Sequence, residues 1–346
     1  MAKAVGRRVK AAVVKGAAWG TAVAAGANNG ILILPPTYKK TRADLIDDSL
    51  GLFFPVTADV AEIHVDSVSI PAYIRYDGLD LLIALAMGAT GGAPVQQGVT
   101  TAYAQAFTLA DTLDGLFGTF VVNLGPYIEE LTSIKLTGFT IKGQTGKPLD
   151  ITFDGIAIDK VTNSAVNTSI TFAGVTDFET ANRVLYGQGV IRMNAQGGAA
   201  LGAGDAIYPS GFELAYKRTM KGIYGVSGTF DKIDEPTDDG MPAVTLKLDF
   251  PSDTDATIFT DWDANNLKKA DMTFTGASIA APYNRSLAIS LPNLKIADAD
   301  APITQGIITK TVNFTCLGCS AAPTGMTTTL PFEVDVINRQ SVNVLA

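Results

Sequence analysis

One stretch restricts the fold of this chain more than any other. Residues 77–88 read Asp-Gly-Leu-Asp-Leu-Leu-Ile-Ala-Leu-Ala-Met-Gly. Leu79, Leu82, Ile83, Ala86 and Met87 recur at the spacing of one helix face, and Leu81 and Leu85 make the other sides apolar too. Asp77 suits the N-cap, Asp80 adds negative charge to the first turn, and Gly88 suits the left-handed residue past the end. A helix apolar all round needs cover on more than one side. At about a dozen residues it is well short of the roughly 20 that cross a bilayer. The stretch is expected to pack on its own sheet and against something further, with a second subunit as the natural cover.

Sheet surrounds it. Val68, Ile70, Ala72, Ile74 and Tyr76 alternate with Ser67, Ser69, Pro71, Tyr73 and Arg75, a half-buried strand feeding directly into the helix. Strands are expected next at 103–109, 117–124, 133–142 and 148–159, with Gly138 and Gly155 shifting the alternation as bulges do. The pattern then recurs. Val244, Leu246, Leu248 and Phe250 alternate with Thr245, Lys247 and Asp249; Pro251 ends the strand, Ser252 can cap, and Asp255 sits three residues on. Ile258, Phe259 and Trp262 then form a helical face, and strands follow at 271–275, 285–296 and 306–316. A closing strand carries Phe332, Val334 and Val336 on one face. The spacings match once residues 89–102 and their flanks count as an insertion. The reading is a mainly β chain of two related antiparallel sandwich or barrel units, each with one short packed helix. Residues 1–29, rich in Ala and Gly, read as an N-terminal arm, 30–172 as the first unit and 173–346 as the second. Residues 37–62 read as loop with short extended pieces. Thr176 and Glu179 have capping-box spacing before a short helix running toward Tyr186.

Charge divides unevenly. Lys3, Arg7, Arg8, Lys10 and Lys15 give the first fifteen residues +5, within a net charge of −8. An acidic body argues against nucleic acid as a tightly held ligand. Two readings of the basic start fit equally: a clip onto a neighbouring acidic subunit, or a frayed, solvated terminus. A mean hydropathy of +0.22 without a long apolar run points to extra surface buried by assembly.

Little catalytic material is present. Cys316 and Cys319 form a lone C-x-x-C read as a structural turn, and no second pair exists for zinc. His64, the only histidine, shares a strand face with Glu62 and Asp66 and reads as exposed or at an interface. Residues 143–147 lack the spacing of a phosphate-binding loop and read as a hairpin turn. Asp231, Asp234, Glu235, Asp238 and Asp239 lack the register of a calcium loop and read as solvated. No nucleophile, base and orienting group stand out together, so no enzyme, cofactor or metal site is expected.

Taken in order, the chain resembles the major tail tube proteins of long-tailed bacteriophages, in the family built on two related β-domains. The resemblance rests on the residues from Ala18-Trp19-Gly20-Thr21 onward, on Tyr76-Asp77-Gly78-Leu79-Asp80 leading into the helix, on 212–218, on 289–296, and on the last strand ending at Asn338. The long basic start before Trp19 departs from that pattern. The resemblance implies subunits that close into rings, rings that stack into a tube, and an acidic bore through which double-stranded DNA slides in transient, non-specific passage. It implies assembly in the host cytoplasm, residence in the virion tail, and partners in the tape measure, tail terminator and tail-tip proteins, with no membrane. Two units per chain favour a homotrimeric, pseudo-hexameric ring; one unit per chain would give a hexamer. Leu79, Leu81, Leu82, Leu85, Ile258, Phe259 and Trp262 are the expected interface residues. Residues 89–102 and the arm with Arg7, Arg8, Lys10 and Lys15 are the expected ring-to-ring contacts, and deleting 1–15 is expected to spare the fold while impairing assembly. The alternative is a capsid-decorating or other virion-surface β-protein.

Overall fold

The computed structural model describes residues 6–49, 53–55, 57–177, 182–223, 232–253, 256–303 and 306–346, without the side chains of Arg7 and Glu62. In chain order the first half carries β1 Lys10–Lys15, β2 Thr41–Ile46, β3 Ala58–Tyr73, α1 Asp80–Met87, β4 Tyr103–Leu109, β5 Gly118–Asn123, β6 Ile128–Gln144, β7 Asp150–Ala157, β8 Lys160–Thr162 and α2 Ser169–Ala173. The second carries β9 Gly189–Ala195, β10 Gly211–Lys217, β11 Ala243–Phe250, α3 Thr257–Asp263, β12 Lys268–Ala280, β13 Tyr283–Asp300, β14 Lys310–Cys316 and β15 Glu333–Asn338.

Period-2 alternation puts one side of each strand inside, and antiparallel pairing lines those sides up. The larger sheet runs β3–β7–β6–β10–β11–β14–β13. Across it Ala72, Ile151, Ile141, Leu214, Leu246, Phe314 and Ile296 stand as consecutive cross-strand partners, all buried. The second layer runs β4–β15–β13–β12–β9 and buries Phe107, Val334, Ile289, Met272 and Ile191 in the same way. Each Val, Ile, Leu, Met or Phe among them is worth about 1.5–3 kcal/mol when fully buried, so these two rows contribute substantially to holding the layers together. Phe332 joins them, its ring 6.0 Å from Phe139 and 5.5 Å from Tyr216.

Both halves repeat one pairing scheme. In the first, β1 pairs with β5, β5 with β6, β6 with β7, β7 with β3, and β6 also with β8. In the second, β9 pairs with β12, β12 with β13, β13 with β14, β14 with β11, and β13 also with β15. The strand–helix step β3–α1 is matched by β11–α3. Two ladders cross between the halves: β6 with β10, and β4 with β15. The first is permitted by Gly138, which has φ +153 and would place a Cβ 2.1 Å from the Tyr216 carbonyl oxygen.

Several expectations change. Residues 6–29 of the expected arm are joined to the body, and residues 1–5 lie outside the described residues. Lys10–Lys15 forms β1 in register with β5, Ala11, Ala12 and Val13 are buried, and the Trp19 indole donates to the Ile233 carbonyl at 3.0 Å. Within residues 37–62, read as loop with short extended pieces, the extended pieces are longer than expected: Thr37 and Tyr38 pair with β3, and β2 pairs with the first part of β3, while 50–52 and 56 lie outside the described residues. The helix expected from Thr176 toward Tyr186 falls partly outside the described residues, at 178–181, and residues 182–185 are not helical; a short helix precedes it instead. It is α2, capped by Thr168 with Thr171 answering as its N3 partner; Glu179 lies outside the described residues, and Tyr186 opens a 3-10 turn. α1 ends at the left-handed Gly88 as expected, yet its N-cap is Leu79, without a side-chain bond. Nor does a side chain cap α3, whose N-cap is Ala256; Asp255 lies outside the described residues.

Candidate functional site

The expected interface residues divide by burial. Leu79, Leu82 and Leu85 are covered by the chain itself, and only Leu81 of that set is half-buried. The cover comes from β1, β4, β6 and the segment after β15. Asp77, expected as a cap, instead accepts from the Arg285 guanidinium at 2.8 Å and from the Arg339 backbone N–H at 3.0 Å. Asp80 accepts from Asn338 Nδ2 at 2.7 Å, and burial raises its carboxyl to about 6. Helix α3 is different. No residue of it is buried: Ile258 and Phe259 are half-covered and Trp262 is exposed. Beside it lies a cavity of about 500 Å³ lined by Met193, Ile207, Tyr208, Phe250 and Ile258.

The larger sheet turns its outer face away from the core. One cross-strand row there reads Pro71, Thr152, Thr140, Ala215, Thr245, Thr315, Lys295. The next reads Tyr73, Asp150, Lys142, Glu213, Lys247, Asn313, Asp298. Lys142 lies 3.1 Å from Glu213 and Lys247 3.1 Å from Asp249, so these two ammonium groups already face carboxylates. With Asp154, Asp249 and Asp300, carboxylates outnumber the lysines on this face. At one end of the sheet, residues 295–300 of β13 pair only with β14; among the described residues no strand takes their other edge. At the opposite end, Thr37 and Tyr38 pair with β3, and the Leu34 N–H donates to the Pro71 carbonyl at 2.7 Å.

Sequence reasoning missed the extension formed by β2 and the start of β3. All six β2 residues are exposed, and Leu45, Ile46, Phe53 and Phe54 present apolar surface, with Phe53 97% exposed. Only the apolar residues set among Asp44, Asp47, Asp48 and Asp59 hinted at it. Of residues 89–102, Val95–Gln96 pairs with β4 and Val99 is fully exposed. Arg8 and Lys10 are exposed, whereas Lys15 is spent within the chain, its ammonium donating to the Leu345 carbonyl at 2.5 Å. Arg7 lies in a 3-10 turn and its side chain is outside the described residues.

The acidic loop is not simply solvated. Glu235 accepts from the buried Lys135 ammonium, and Asp238 from the buried Arg218 guanidinium at 2.7 Å. These carboxylates neutralise cations that could not otherwise stay inside. Asp231 lies outside the described residues. His64 is buried, not exposed, with Nε2 2.7 Å from Asp66. Cys316 and Cys319 are free thiols; Cys316 ends β14, and the Cys319 backbone N–H donates to the Thr329 carbonyl at 2.9 Å. Among the described residues no three His, Cys, Asp or Glu side chains are grouped to hold a metal, and no helix is long and apolar enough to cross a membrane.

The unpaired edge at residues 295–300, the half-covered α3 and the exposed apolar extension leave surface that the described residues do not cover. A family model described as phage tail tube protein matches residues 6–316. The chain belongs to the phage tail tube family. As a member it is a structural protein of the virion tail, of a family that self-assembles into a tube. A comparison with curated proteins found no match.

Proposed function

We propose that this tail tube protein closes into rings of three chains, and that the rings stack into a hollow tube conducting double-stranded DNA to the host. The observation that carries this reading is the larger sheet, which has an unpaired edge at residues 295–300 and an outer face of threonines and compensated charges. Each chain supplies two units of one pairing scheme, so three chains give six units around the axis. Closure places the edge of β13 beside residues 34–38 of the next copy and removes the open edge. The exposed Lys39 then comes near Asp298 and Asp300, a favourable pairing of charges.

The outer face of the sheet lines the bore in this reading. DNA phosphates bind through released counterions wherever unpaired Lys or Arg meet them. Here Lys142 and Lys247 are answered by Glu213 and Asp249, and the row between the charged rows is mostly threonine, so a duplex slides without a fixed foothold. The extension of β2 and β3 reaches toward the next ring. A tape measure protein inside and terminator and tip proteins at the ends complete the tail, which is assembled in the host cytoplasm. Electron microscopy of the purified chain tests the reading: rings and tubes support it. Single copies that bind only to preformed capsids would make this a decorating protein instead.

A further inference from the structure

Helices α1 and α3 occupy matching places in the two halves, yet their surroundings differ. The segment that follows β15 lies over α1. Asn338 and Arg339 bond to Asp80 and Asp77, Asn343 Oδ1 accepts from the Thr90 hydroxyl at 3.0 Å, and Val344 and Leu345 pack against the core. Thus the first helix is covered by the tail of a strand in the second half. Among the described residues no corresponding cover lies over α3, which packs chiefly on β13 and leaves its mostly apolar cavity open.

The shared pairing scheme identifies what the missing cover is. β15 in the second half matches β8 in the first: each follows β14 or β7 and each pairs with the early part of the long strand, β13 or β6. The segment after β15 therefore corresponds to the segment after β8. If the step from first half to second is repeated around a ring, α1 is met by the tail of its own chain's β15. Helix α3 is then met by the tail of β8 from the next copy. That tail carries apolar surface: Val166 is 37% exposed and Ile170, on α2, 83% exposed. An isoleucine this exposed buries nothing in a single chain, and its hydrophobic stabilisation is available only to an assembly.

We infer that residues 166–170 of one copy pack into the groove between α3 and β9 of the adjacent copy, against Ile207, Tyr208 and Ile258. This rests on the ring of two-unit chains proposed above. It adds the residues that make the contact and its direction, from the first half of one chain to the second half of its neighbour.

Ile170→Asp and Tyr208→Asp test it, since both side chains are more than four-fifths exposed and neither supports the monomer. Each variant is expected to melt as the unaltered chain does and to need on the order of tenfold higher concentration to form rings. In a Cys319→Ser background, the pair Ile170→Cys with Tyr208→Cys is expected to give covalently closed trimers on oxidation, whereas either cysteine alone gives none. Rings that form normally from the Asp variants, and that fail to cross-link through the cysteine pair, would overturn this contact while leaving ring formation standing. A chain that forms no rings in microscopy would overturn the ring reading and this contact with it.

Discussion

At the scale of single residues, Gly138 shows how the two halves are held to one sheet. Its φ of +153 and the Tyr216 carbonyl beside it exclude any side chain without moving β6 from β10. Gly138→Val is expected to cost roughly 3 kcal/mol or more in urea unfolding of the subunit; a change under about 1 kcal/mol would show the joint to be slack. Two carboxyls make stability depend on pH. Burial raises Asp80 to about 6, and burial with the neighbouring Glu333 raises Asp335 to about 6. The folded chain keeps these protons where the unfolded chain has lost them. Their contribution is therefore greatest below about pH 4, falls as pH climbs toward 6, and is flat above. Asp335→Asn is expected to flatten the fall in melting temperature over that window, and an unchanged slope would contradict the assignment.

At the scale of elements, the strands that alternate cleanly were legible: β4, β10, β11, β15 and the ladders around Gly138 and Gly155 stand where period 2 places them. So was α1, because a helix apolar on all sides is hard to mistake. What covers it was not legible, since cover depends on long-range partners such as Asn338 and Arg339. β1 escaped because its buried residues include Ala11 and Ala12, too small to mark a face against the Ala-rich residues around them. That error reverses a prediction: removing residues 1–15 deletes a strand of the sheet and is expected to lower the melting temperature as well as impair assembly. The β2–β3 extension escaped for the opposite reason, as it has no buried face to give period 2. Its exposed Phe53 and Phe54 are expected to serve contacts between rings. Replacing both with Ser should leave single rings intact and shorten the tubes in negative-stain images; tubes of full length would remove that role.

For the whole molecule, the central claim is that one chain holds two units and that three chains complete a ring. The repeated pairings, the unpaired edge of β13 and the half-covered α3 all ask for the same neighbour in the same orientation. A duplex then meets a wall on which Lys142 and Lys247 face Glu213 and Asp249 and carboxylates outnumber lysines. Thr140→Lys, added to the neutral row of that wall, is expected to give isolated tubes a salt-dependent affinity for DNA fragments, steeper by roughly one unit of log-log slope per phosphate engaged. The decisive measurement is the mass of an isolated ring together with its averaged end-on view. The account predicts three chains, an open bore and six similar lobes alternating in pairs. Six chains to a ring, or a monomer with no bore, would contradict it.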